Sequence, residues 1–537
     1  FQAEDGIRDS STSRGLGDVY KRQPSKLGLK KGQKVSVRNL IRGAAIRSAN
    51  DAATALGELI SGSENKFFES LNPYTGEIWS SIPSASVSDV NSAVEAAHHA
   101  FSEGPWSKMT PTQRGSCLRK LAELLSEKSE PLGKTETIDT GKMLKETRWQ
   151  AKYISEFFQF FAGCADKISG ETLPIDKPDL LVLTEREPLG VIAAIVPWNS
   201  QLFLVAVKLG PALAAGNTVV LKASEHASAA MLEFGELIAK AGFPPGVVNI
   251  ITGHGDPCGK ELTSHPLVAR VSFTGGPKSA QNIINNSANN FAEVSLELGG
   301  KSPFIVFDDA NIESAVNGSI AGIFGASGQS CVAGSRLYLH EKIADEFLHK
   351  MMNVVNSIKL GDPLEEDTQM GPLCTLNQIE NIEREIAFAR SEGAEILCGG
   401  KRPSNLQGFF FNPTIISCPK QALRIVDTEL FGPVLSVLTF SDEQEVIKLA
   451  NDTKHGLAAG IFSENSARSL RVARSVRAGI VWVNTYRVVS PIAEFGGFKG
   501  SGYGRESGFQ AMYDYTRPKT IWLNTSDESM SNPFVMR

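Results

Sequence analysis

A cysteine, a glutamate and an asparagine stand beside apolar runs of this chain, and each is of a type that acyl chemistry uses. Cys331 lies in ASGQSCVAG, among Ala326, Ser327, Gly328, Ser330, Ala333 and Gly334. Small neighbours let backbone and substrate approach the sulfur. A thiolate nucleophile needs that access, together with donors aimed at the oxyanion it creates. Asn199, in PWNSQL, carries a carboxamide that donates without titrating. Glu297, in VSLELGGKSP, carries a carboxylate able to take a proton from water. Lys222 and Glu225 follow another apolar run in NTVVLKASE, and FTGG ends a further one at 273–276. Each residue alone reads equally well as a buried thiol, a cap or turn chemistry. Their occurrence together points to a site.

The runs that must position these residues have the character of a parallel sheet. GVIAAIVP (190–197), NTVVLKA (217–223), GVVNIITG (246–253) and VARVSFTGG (268–276) are short, apolar and β-branched, with helical stretches such as SAAMLEFGELIAKAG between some of them. Fully apolar strands alternating with helices indicate a sheet covered on both faces. Such a sheet binds ligands at the carboxyl ends of its strands. A second α/β region follows from about residue 300, with strands expected at SPFIVFDD, SRLYLH and GIVWVNT. Upstream, SVSDVNSAVEAAHHAF predicts a helix with Ser88 as its N-cap and Val90, Val94, Ala97 and Phe101 on one face.

Composition narrows the class. The chain has 537 residues, 42% of them hydrophobic and 21% charged, which allows two or three domains with a sizeable core. A net charge of −5 gives no reason to expect nucleic acid or an anionic membrane as partner. No run of about 18 apolar residues occurs, so no membrane span is expected. The seven cysteines are scattered and never spaced CxxC, which argues for a reducing, cytoplasmic compartment and against a disulfide framework or a zinc site. No metal is expected.

Read in order, the motifs resemble the NAD(P)-dependent aldehyde dehydrogenase superfamily. The resemblance runs from about residue 65 to 523 and rests on PWN, LKxSE, FTGG, LELGGKSP, GQSC, ELFGPV and FGGFKGSGYGRESG at 495–508. It implies an α/β aldehyde dehydrogenase fold with a Rossmann-like NAD-binding domain over 61–299 and an α/β catalytic domain over 300–500. Segments 170–187 and 516–524 would be strands of a small oligomerisation element, giving a homodimer or homotetramer. The implied activity is oxidation of a small-molecule aldehyde to a carboxylic acid. Cys331 would attack the aldehyde, Asn199 would hold the oxyanion, and Glu297 would activate the water that hydrolyses a thioester. Lys222 and Glu225 match positions that bind the adenosine ribose, and a carboxylate there favours NAD over NADP. Gly275 and Gly276 match the pyrophosphate loop, Pro197 and Trp198 adjoin the cofactor, and Glu429 and Phe431 match residues at the nicotinamide ribose and ring. Ala280 and Ala223 replace a commoner glycine and proline. For the substrate tunnel the resemblance implies Ser200, Leu204 and Val207, with Phe495 closing the far wall. These side chains are small, and a mouth accepting something bulkier than acetaldehyde is expected. Arg487 is expected as a solvated surface residue, with contact to a substrate carboxylate as the alternative.

The amino-terminal region has another character. Residues 24–60, with Ser48-Ala49-Asn50 as an S-x-N element, resemble a D-alanyl-D-alanine carboxypeptidase fragment. That chemistry also needs an S-x-x-K nucleophile and a K-T-G strand, which are not found in place, so the fragment is expected to be inert. Gln2–Asp9 and Ser13–Gln23 read as in-frame translations of sequencing-library adapters, so residues 1–23 are expected to be adapter-derived and the whole a chimaera. The competing expectations are a catalytically impaired chimaera and a serine-type carboxypeptidase.

Overall fold

The structure is a computed structural model that describes residues 67–530 and 532–535. The carboxypeptidase-like and adapter-like segments therefore lie outside the described residues.

Two parallel sheets dominate the architecture. The first has six strands in the spatial order Gly502–Tyr503, Glu293–Leu298, Val268–Gly275, Val191–Ile195, Thr218–Lys222, Val248–Ile251. All neighbours are parallel except the Gly502–Tyr503 edge, which runs antiparallel to Glu293–Leu298 and pairs Gly502 with Glu297. The chain thus returns to this sheet after completing the second one. That second sheet has seven strands, ordered Glu395–Cys398, Thr414–Ser417, Val434–Phe440, Arg336–His340, Pro303–Val306, Ala458–Phe462, Ile480–Val483. Only its Glu395–Cys398 edge is antiparallel.

The two-residue period of a strand explains why these runs are apolar throughout. In Val191–Ile195, Ile192 and Ala194 enter a core formed with the helices Pro111–Glu127, Leu144–Cys164 and Gln201–Ala215. Val191, Ala193 and Ile195 enter a separate core on the other face with Val90, Val94 and Ala97. The second sheet divides in the same way, with Ile305 on one side and Phe304 and Val306 on the other. The inner strands each join two cores and leave no solvated face to carry polar residues.

The helix Val87–Ser102 starts two residues earlier than Ser88 allows. Ser86 is its N-cap. The Ser86 backbone N–H donates to Asp89 Oδ2 at 2.8 Å, and the Asp89 N–H returns to Ser86 Oγ at 3.3 Å. The spacing of a capping box, cap to third helical residue, selects Ser86 over Ser88 because only Ser86 stands three residues before an acid. The buried stripe is Val90, Val94, Ala97 and Ala100, with Phe101 half-buried beside it.

A third sheet stands apart. Thr516–Asn524 pairs antiparallel with Leu180–Pro188 along nine residues, and Thr172–Leu173 adds a short third strand. Trp522 and Leu523 on it are 60% and 53% exposed. A smaller hairpin, Phe67–Leu71 with Ile78–Pro83, opens the described chain.

Candidate active site

The strand ends of the two sheets face a cavity of about 1010 Å³. Cys331, Glu297 and Asn199 all line it, as do Pro197, Trp198, Gly275, Gly276, Glu429 and Phe431. The expected tunnel residues Ser200, Leu204, Val207 and Phe495 line it too. Lys222 and Glu225 do not. They form a neighbouring pair, with Lys222 Nζ 3.6 Å from Glu225 Oε2 and donating to the Ala223 carbonyl at 3.0 Å.

Cys331 is carried on an unusual turn. The helix Ile312–Phe324 ends, and Ala326, Ser327 and Gly328 follow with φ of 53°, 55° and 74°. Left-handed backbone is unfavourable for residues bearing a Cβ, so surrounding contacts must hold it. Ser327 Oγ donates to the Gly371 carbonyl at 2.8 Å, and the Cys374 N–H donates to Gln329 Oε1 at 2.8 Å. Asn199 Nδ2 donates to the Gln329 carbonyl at 3.0 Å, two residues before the sulfur. An amide nitrogen has two hydrogens, so one remains for an oxygen bound at Cys331.

The glycines of LELGGKSP have specific tasks. A Cβ on Gly299 would overlap the Glu429 carboxylate, and one on Gly300 would stand 2.7 Å from the Cys331 carbonyl oxygen. These two positions bring three chain segments together at van der Waals distance. The Gly300 N–H also donates to Glu429 Oε1 at 3.1 Å.

The charges in the cavity are arranged to keep protons on. Burial pushes the Cys331 thiol up to about 12, and the carboxylates of Glu297 and Glu429 add to the effect. The Val332 backbone and Arg487 pull in the other direction. Glu297 is 4% exposed, and neither of its oxygens has a hydrogen-bond partner. Burial holds it well above the ordinary carboxylate range, Glu506 raises it further, and Lys208 and Arg505 oppose this. Glu429 is raised to about 7, again by burial first. A buried carboxyl held above its ordinary range is suited to take a proton from a water.

Two residues behind Glu297 complete the picture. Lys208 and Glu506 form a fully buried ion pair, and Lys208 Nζ also lies 3.2 Å from Ser272 Oγ. Glu506 belongs to FGGFKGSGYGRESG, and Lys208 is the only charge in the apolar helix QLFLVAVKLGPALAA. A lone cation in so apolar a helix was the available sign of a buried partner.

Other wall residues come from segments without a motif. The helix Leu144–Cys164 contributes Trp149, Tyr153 and Phe157, with the Trp149 and Tyr153 rings stacked at 4.7 Å. Trp482 faces the same space. The small side chains of Ser200, Leu204 and Val207 are thus matched by aromatic ones from other elements. Ser200 Oγ accepts a hydrogen bond from buried Lys142 at 2.7 Å. Arg487 is not a surface residue: it is half-buried and lines the cavity. The loop between Val483 and Phe495 folds inward, where Tyr153 Oη and Trp482 Nε1 donate to the Val489 and Val488 carbonyls.

The residues fit a dinucleotide. Gly276 caps the helix Pro277–Ser287, where a Cβ would meet nothing within 4 Å. A helix N-terminus with open space before it accepts a phosphate oxygen. Ala280 and Ala223 are both buried, in separate cores. Among the described residues no group of three or more His, Cys, Asp or Glu could hold a metal, and no helix is long and apolar enough to cross a membrane.

The chain is similar to known proteins along most of its length. The aldehyde dehydrogenase family matches residues 59–521. The (Z)-2-((N-methylformamido)methylene)-5-hydroxybutyrolactone dehydrogenase of Acinetobacter baylyi is 55% identical over 88% of this chain and 96% of its own. The betaine aldehyde dehydrogenase of Bacillus subtilis is 39% identical over 88% and 98%. Among solved structures, the NAD+ complex of a Bacillus cereus aldehyde dehydrogenase is 39% identical with a TM-score of 0.84, covering 86% of this chain and 94% of that one. The D-alanyl-D-alanine carboxypeptidase family matches residues 1–79, overlapping the longer match only at 59–79. With a cofactor-type sheet, a cysteine turn and relatives aligned along nearly their whole length, this chain belongs to the aldehyde dehydrogenase family and is an NAD-dependent aldehyde-oxidising enzyme.

Proposed function

We propose that the chain oxidises an aldehyde to a carboxylic acid through covalent catalysis at Cys331. The observation that carries this reading is the opening of Cys331, Glu297 and Asn199 onto one cavity, with both Glu297 oxygens free of protein partners. The Cys331 sulfur bonds to the aldehyde carbon as its proton leaves to solvent. The oxyanion of the thiohemiacetal is held by the free hydrogen of Asn199 Nδ2 and the Cys331 backbone N–H. NAD, when bound, supplies the acceptor for the hydride, which leaves a thioester on Cys331. Glu297 then takes a proton from water as the new C–O bond forms. The C–S bond breaks, the acid leaves, and Glu297 returns the proton taken from water to the sulfur, so that the thiol is regenerated with release of one proton overall.

The Lys208–Glu506 pair tunes the basicity of Glu297, Glu506 raising it and Lys208 lowering it, while neither Glu297 oxygen is tied up by a protein hydrogen bond. Glu225, beside Lys222, is positioned to accept hydrogen bonds from a free ribose hydroxyl and to repel a phosphate there. We assign NAD binding to 61–299, the nucleophile to 300–500, and oligomerisation to 170–187 with 516–524. The exposed Trp522 and Leu523 favour a second copy of this chain as partner. A cytoplasmic location suits the seven free thiols. The cavity volume, and relatives named for a hydroxybutyrolactone and for betaine aldehyde, favour a substrate larger than acetaldehyde.

The test is NADH formation across an aldehyde panel, with and without Cys331→Ala. Loss of turnover in the variant supports the reading, and turnover that survives overturns it. Preference for acetaldehyde over larger substrates would overturn the size assignment alone.

A further inference from the structure

The geometry points to Arg487 as the anchor for a carboxylate on the substrate, so that the preferred aldehydes are oxo acids with the aldehyde at one end and a carboxylate at the other. This inference rests on the Cys331 reading above and adds the identity of the other end of the substrate.

Arg487 is held at the cavity wall by three local features. Its backbone is left-handed, with φ of 62°. Its Nη1 donates to the Ala321 carbonyl at 3.0 Å, in the last turn of the helix Ile312–Phe324. The negative end of a helix dipole favours a cation there. Gly325, just beyond that turn, has no side chain, and a Cβ on it would overlap Nη1. An arginine tolerated by accident at a surface needs none of these accommodations.

The guanidinium also retains unused donors. Its bond to Ala321 occupies one of five N–H groups. Glu146 and Glu494 line the same cavity, yet neither forms an ion pair with it. Glu146 instead accepts from the Ala326 N–H at 3.3 Å. A planar cation with a free edge, on an aromatic wall beside the nucleophile, matches a carboxylate through two parallel hydrogen bonds. A cationic aldehyde would meet like charge at this position, and a neutral aldehyde would leave it unpaired.

The experiment compares kcat/KM for 4-oxobutanoate, 5-oxopentanoate, butanal and 4-aminobutanal, in the wild type, Arg487→Met and Arg487→Lys. The wild type is expected to prefer an oxo acid over butanal. In Arg487→Met the ratio of oxo acid to butanal should fall by about 10- to 100-fold, the size of a lost charge-assisted hydrogen-bond pair, chiefly through KM. Arg487→Lys should recover part of it. Reading the ratio removes any general effect of the substitution on Cys331. Butanedioate should inhibit the wild type competitively against the oxo acid, which requires no variant to fold. Wild-type preference for butanal or 4-aminobutanal overturns the inference, as does an equal loss on all substrates in Arg487→Met. Turnover of butanal that depends on Cys331 would leave the Cys331 reading standing in either case. No turnover of any aldehyde by the wild type would overturn both.

Discussion

Glu297 sits against Gly496: a Cβ on that glycine would stand 2.8 Å from Glu297 Oε1 and 2.8 Å from the Gly504 carbonyl. The second wall atom is backbone and cannot move aside cheaply. FGG at 495–497 therefore sets how far the carboxylate can reach into the cavity. Gly496→Ala is expected to displace Glu297 and lower kcat by at least about tenfold, since small displacements at a reacting group are amplified. Steady-state kinetics with any good aldehyde checks this, and unchanged kcat would contradict it.

The raised Glu297 carboxyl has a consequence for stability. Its proton is held in the folded chain well above the ordinary value of 4.5. Stability from this group is therefore fully present below that value and is lost as pH rises through the folded one. Glu297→Gln removes the titration. The variant should melt at a higher temperature than the wild type at pH 8, with the gap shrinking toward pH 5. Thermal melts at the two pH values decide it, and a gap that grows on acidification contradicts the account.

Glu506 raises Glu297, and Lys208 lowers it. Glu506→Gln removes a negative charge and leaves a positive one, so the rising limb of kcat against pH should move to lower pH. The same change leaves Lys208 buried without its partner, at a stability loss of about 3–5 kcal/mol. Profiles measured well below the melting temperature separate the two effects. A limb that stays in place or moves upward would show that Glu506 does not act through Glu297.

Glu225 is expected to govern cofactor choice. Replacing it with Ser removes the repulsion of a ribose phosphate, and the ratio of kcat/KM for NAD over NADP should fall by about tenfold or more. A ratio unaffected by Glu225→Ser would place the discrimination elsewhere.

Much of the fold could be read from short apolar runs, because a strand buried on both faces must be apolar at every position. Val191–Ile195 and Thr218–Lys222 are buried at all five positions each and leave no alternative. The helix start was legible only through the pairing of Ser86 with Asp89, and a serine nearer the apolar stripe obscures it. In the site, Cys331, Glu297 and Asn199 announce themselves by small neighbours and strand ends. Lys208 and Arg487 do not, because what matters is the partner each meets across the fold. Lys208 meets Glu506, 298 residues away, and Arg487 meets Ala321, 166 residues away. The aromatic wall was hidden for a related reason: Trp149, Tyr153 and Phe157 recur at helical spacing, which also describes an ordinary core stripe.

The central claim is the covalent step at Cys331, and rapid-quench mass spectrometry of Glu297→Gln mixed with NAD and aldehyde tests it most directly. Removing the base for hydrolysis should lower kcat by about 100- to 10,000-fold. The acyl group should then accumulate on the peptide containing Cys331, in step with any NADH formed. NADH formed with no acyl group on any cysteine, or with the group on one of the other six thiols, would contradict the account.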